Sequence, residues 1–87
     1  MNEFKEIEDA GREVLKRLIY SLKLRESFIT EFEGVFYDCI YKVYFKRGVI
    51  EDMSSYLYVM LKREIFRYLR NKRAIEKKNF LLYYNAI

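Results

Sequence analysis

Residues 54–73 read SSYLYVMLKREIFRYLRNKR, and two kinds of side chain alternate through them. Leu57, Met60, Leu61, Ile65, Tyr68 and Leu69 recur at steps of three and four, the spacing that gathers side chains on one side of a helix. Lys62, Arg63, Arg67, Arg70 and Arg73 fill the gaps and fall on the opposite side. The spacing predicts a long amphipathic helix that buries its leucines and turns its cations outward. Its start is set by Asp52 or Ser54, both good N-cap residues, and nothing forbids its continuing to Lys78.

Upstream, Phe4, Ile7, Gly11, Val14, Leu15, Leu18, Ile19 and Leu22 form another stripe at helical spacing, over residues 3–24. Acidic residues gather in its first turns, and Lys16, Arg17 and Lys23 in its last, as a helix dipole favours. Gly11 on the apolar side predicts close approach of a neighbouring helix. A second helix is expected over residues 28–47, carrying Phe32, Val35, Phe36, Cys39, Ile40 and Val43 inward. Ser27 offers one N-cap and Thr30 with Glu33 a capping box, while Gly48 is placed to end the helix in a left-handed conformation. Cys39 lies on the apolar stripe and reads as a buried, inert thiol. The fold class that follows is all-α: a small three- to four-helix domain over residues 1–87, with helices about 3–24, 28–47 and 54–78 and an apolar tail at 79–87.

Composition narrows the chemistry. The 87 residues contain no histidine and a single cysteine, which leaves out a zinc site of the usual ligands, a histidine triad and a disulfide framework. Three isolated glycines form no phosphate-binding loop. Neither an enzyme nor a cofactor is expected. No apolar run of about 20 residues is present and the first residues are charged, so neither a membrane span nor a secretory signal is expected, and a cytoplasmic location is.

The charge is unevenly placed. Residues 1–61 carry nine Lys/Arg against eleven Asp/Glu, a net of −2, whereas residues 62–78 carry eight Lys/Arg against two Glu, a net of +6. A polyanion reads such a concentration through phosphate neutralisation and counterion release. Tyr56 and Tyr58 stand near the N-terminal end of the stripe, where flat rings would stack on unpaired bases. The same charges also suit a merely solvated helix face, and the residues alone leave both readings open.

The stretch MSSYLYVMLKREIFRYLRNKRA resembles the third helix of region 2 in bacterial sigma factors of the extracytoplasmic-function group. That family runs approximately F-x-A-W-L-Y-x-I-A-R-N-x-x-x-D-Y-L-R-x-x-R. Met53, Ser55, Tyr56, Leu57, Tyr58, Met60, Lys62, Tyr68, Leu69, Arg70 and Arg73 stand at matching positions, as identities or conservative changes. FITEFEGVFYDCIYKVYFKRG is similar to the preceding region 2 helix, with Val35 and Phe36 at the family's Val-Phe pair. The likeness covers roughly residues 15–78. It departs at Arg63, where the family prefers asparagine, at Arg67, where it has aspartate, and at Thr30, Glu33 and Gly34 before the Val-Phe pair.

The resemblance implies a DNA-binding transcription protein that meets promoter DNA around the −10 element. It implies Tyr56 and Tyr58 as base-side contacts and Lys62, Arg63, Arg67, Arg70, Lys72 and Arg73 as backbone contacts. Phe32, Glu33, Tyr37 and Lys42 would lie near a surface for the clamp helices of RNA polymerase core. Region 4 has no room in this chain, so either a region 2 fragment or a stand-alone sigma-like protein is expected. The alternative is a small helical interaction module that binds a partner or its own copy through exposed tyrosines and the apolar tail.

Overall fold

A computed structural model describes residues 3–86, with side chains over residues 3–73. Three helices and one short turn follow in order: α1 Glu3–Ser21, α2 Phe28–Phe45, a 3-10 turn Arg47–Val49 and α3 Met53–Ala86. No strand occurs among the described residues, so the domain is all-α as the spacing predicts. Glu3 meets Arg47, Glu8 meets Tyr37 and Arg12 meets Glu33, so α1 and α2 run antiparallel. Phe28 and Phe32 pack on Tyr68, and Glu31 meets Lys72, so α3 returns antiparallel to α2 and touches both other helices.

The apolar stripes meet in one core. Leu18, Phe32, Ile40, Val43, Leu57, Leu61 and Ile65 are wholly buried, and Leu15, Phe36 and Cys39 nearly so. Each aliphatic side chain taken fully out of water contributes about 1.5–3 kcal/mol. No polar or charged residue is buried among the described residues. Gly11 lets α1 and α2 close. A Cβ there would lie 2.6 Å from Cδ1 of Ile40 and 3.2 Å from the Phe36 ring, so any side chain would press into the core. The stacked rings of Phe28 and Phe32, 5.3 Å apart, receive Tyr68 edge-on.

Helix ends differ from expectation in instructive ways. α1 stops at Ser21, not near 24, because Lys23 adopts φ 55°. The Lys23 N–H donates to the Tyr20 carbonyl and the Leu24 N–H to the Ile19 carbonyl, the paired bonds of a Schellman end, and Leu24 folds back on the core. Lys23 thus lies beyond α1 instead of in its last turn. The left-handed residue is therefore Lys23 and not Gly48, which has no positive φ and sits in the 3-10 turn. At the end of α2 the Arg47 guanidinium donates to the Tyr44 carbonyl, supplying by side chain what a glycine end would supply by backbone.

The capping box is also absent. Ser27 is the N-cap of α2 without a side-chain bond, and Thr30 already lies within the first turn. The Phe28 and Ile29 N–H groups donate to the Arg25 and Glu26 carbonyls, so a preceding turn does the capping. Asp52, by contrast, caps α3: its carboxylate accepts from the Ser55 N–H at 3.2 Å and the Ser55 hydroxyl at 2.9 Å. Those bonds from Ser55 hold the carboxyl below its usual range. α3 runs without a break through Ala86, past the expected end at Lys78, and nearly doubles the length of α1 or α2. The side chains of the expected tail, 79–87, lie outside the described residues.

Candidate nucleic-acid interface

α3 can serve the core with only part of its circumference, because a helix turns every 3.6 residues. With Leu57, Leu61 and Ile65 inward, the opposite side carries Arg63, Phe66, Arg67, Arg70 and Arg73. These residues, with Leu69 at the edge, line one open depression. Four guanidinium groups and a half-exposed phenyl ring share that surface. Glu64 lies beside it, mostly shielded by the fold, with its carboxylate 3.8 Å from both the Arg63 and Arg67 guanidinium groups. Those two arginine side chains remain 70% and 65% exposed, so the contacts leave them open to an incoming anion. Arg70 and Arg73 have no ion-pair partner among the described residues. The acidic first helix neutralises none of the four.

The other sequence-predicted cations divide. Lys62 is half-buried, with its ammonium 5.6 Å from the centre of the Tyr58 ring. Lys72 is a correction to the expected phosphate-contact set: it turns toward α2 and contacts Glu31 at 3.1 and 3.3 Å. Two positions separate it from Arg70, which rotates its side chain well away from the arginine depression. Tyr56 and Tyr58 are both exposed, at 36% and 39%, but two residues on a helix point to different sides. Tyr58 lines a separate groove between α1 and α3, together with Val14, Arg17, Ser54, Ser55 and Val59. The structure does not bring the two tyrosines to the arginine depression.

The polymerase-side set divides as well. Phe32 is a correction: it is wholly buried between Phe28 and Tyr68 and presents nothing to a partner. Tyr37 accepts from the Arg12 guanidinium at 2.6 Å and donates to the Glu8 carboxylate at 3.2 Å. Arg12 also lies 3.9 Å from Glu33 and over the Phe36 and Tyr37 rings. Burial opposes the Arg12 charge, but Tyr37 and Glu8 outweigh it and hold the guanidinium above its ordinary pKa. Glu33 and Tyr37 thus form one patch with Arg12 of α1, while Lys42 lies exposed on another side of α2.

Sequence reading missed three features. Phe66 belongs to the arginine surface, and its signal was a phenylalanine outside the apolar spacing. Arg17 of α1 joins Tyr58, which only the packing of α1 on α3 decides. At the far end, Phe4 packs on Tyr41 and Tyr44, and exposed Phe45 lies edge-on to Tyr44. Cys39 is buried as expected. Burial, reinforced by the Glu64 charge, pushes its thiol up to about 11. Among the described residues no cluster of His, Cys, Asp or Glu can hold a metal ion, and no helix is long and apolar enough to cross a membrane. No family model, curated protein or solved structure matches the chain.

Proposed function

We propose that the chain is a DNA-binding transcription protein of the sigma region 2 type, acting in the cytoplasm. The outer side of α3 would hold −10-type promoter DNA, and a second surface would meet RNA polymerase core. One observation carries the reading: Arg63, Arg67, Arg70 and Arg73 gather around one open depression, and Glu64 at its side contacts only the first two of them. Guanidinium forks match phosphate geometry, and each neutralised phosphate releases counterions. Arg63 and Arg67 replace the family's asparagine and aspartate, which shifts the surface further toward backbone binding. On the polymerase side, exposed Glu33 and Lys42 and half-buried Tyr37 are the available contacts.

The experiment is a titration of the full chain with promoter DNA at several salt concentrations. Affinity is expected to fall steeply as salt rises, and the double variant Arg67→Ala, Arg70→Ala to reduce the log–log slope by roughly two. Absence of salt-dependent binding sinks the reading. The polymerase part is tested separately, by co-purification with core enzyme and its weakening in Glu33→Ala and Lys42→Ala.

A second reading, a helical protein-interaction module, is favoured by the exposed rings of Tyr20, Tyr41 and Phe45. It expects a dimer or hetero-complex by light scattering that dissociates when residues 80–87 are deleted. A monomer mass unchanged by the deletion counts against it.

A further inference from the structure

We propose that Phe66 is a base-stacking platform inside the arginine cluster, and that this face therefore takes single-stranded nucleic acid in preference to duplex. The proposal rests on the nucleic-acid reading above and narrows it to one ligand form and one ring.

Phe66 is 50% exposed on the side of α3 turned away from α1 and α2. The core does not need it: Leu57, Met60, Leu61 and Ile65 fill the inner side, with Tyr68 and Leu69 packed at the border. It makes no ring contact among the described residues. It nevertheless sits within the depression that the four arginines line. Arg63 stands one turn before it and Arg70 one turn after it, with Arg67 adjacent. That order repeats the chemistry of a single nucleotide strand, in which a phosphate stands on either side of each base.

Phosphate contact alone does not call for the ring. Arginines hold duplex DNA by its backbone, where the base faces are already stacked on one another and present only their edges in the grooves. A phenyl face has no stacking partner there. A splayed single strand offers both phosphates and open base faces, and base–aromatic stacking is tolerant of sequence. An acidic peptide would satisfy the guanidinium groups and leave the ring without use. Tyr56 and Tyr58 do not fill this role, because neither lines the depression.

The test compares the full chain with Phe66→Ala and Phe66→Trp at low salt, using an oligo(dT) of about a dozen nucleotides, a duplex of similar length and poly-glutamate. Phe66→Ala is expected to weaken oligo(dT) binding about tenfold, while duplex affinity moves by less than about twofold. Phe66→Trp is expected to keep oligo(dT) affinity. The chain has no tryptophan of its own, so the emission of this one residue reports stacking directly and is expected to be quenched as oligo(dT) saturates. Equal weakening of single strand and duplex by Phe66→Ala, no weakening of either, or unchanged tryptophan emission at saturation overturns the proposal while leaving backbone binding intact. Binding of poly-glutamate with the same Phe66 dependence overturns it in favour of an acidic protein partner. If the unaltered chain binds neither oligo(dT) nor duplex, the wider nucleic-acid reading fails with it.

Discussion

The two sides of α3 are built from one repeating sequence yet follow different rules. On the inner side Leu57, Leu61 and Ile65 lose all contact with water, and their role is set by volume. On the outer side Arg63, Phe66, Arg67 and Arg70 remain accessible, and their role is set by charge and by a flat ring. A cut through the first set should destroy stability without altering the ligand surface, and a cut through the second should do the reverse.

The largest expected effect comes from the inner side. Leu61→Ala should destabilise the fold by about 3 kcal/mol in denaturant titration, because surrounding α1 and α2 side chains cannot close the cavity fully. Binding by the fraction that stays folded should be unchanged. The next concerns Glu64, which sits between the two rules. Glu64→Gln removes the carboxylate that faces Arg63 and Arg67, so affinity for oligonucleotides should rise a few-fold at low salt, with the gain shrinking as salt is added. An unchanged affinity would mean that those arginines do not meet the phosphates.

A third change leaves both sides alone. Lys23→Gly relieves a side chain from the left-handed region and should raise stability by about 1 kcal/mol in the same titration, with no effect on binding. The remaining effects are pH-dependent. The Cys39 thiol is pushed up to about 11 in the folded chain from an ordinary 9.0, so burial of its neutral form stabilises the fold below pH 9, and that contribution is lost as pH rises toward 11. Cys39→Ala should flatten the alkaline limb of a stability–pH curve. The Asp52 carboxyl is depressed, so its capping contribution is present above its unfolded pKa and disappears as pH falls through the folded one. Asp52→Ala and the unaltered chain should therefore converge in acid.

Much of the architecture was legible because helical spacing is a local property. Leu15, Phe36, Ile40, Leu61 and Ile65 announce their burial by intervals of three and four, and Gly11 announces a close crossing. Helix ends were less legible, since several chemistries compete to satisfy the same few carbonyls and N–H groups. Gly48 looked like a stop, but Arg47 reached back to the Tyr44 carbonyl, and Lys23 took the strained conformation that glycine would have suited. The site was half legible. Arg63, Arg67, Arg70 and Arg73 could be placed on one side of α3 by counting, whereas the turning of Lys72 toward Glu31 depended on where α2 lies.

By itself the amino-acid order determined that this chain forms amphipathic helices, that its positive charge concentrates in α3, and that Cys39 is hidden. Those outcomes depend on neighbours a turn or two away, and the helix brings such residues together whatever else happens. Only the packing of three helices decided that Phe32 is core and not contact, that Tyr58 joins Arg17 and not the arginine depression, and that Phe66 stays in water among four guanidinium groups. The physical reason is that burial is a property of the space between elements, and that space exists only once α1 and α2 have closed on one side of α3 and left the other open.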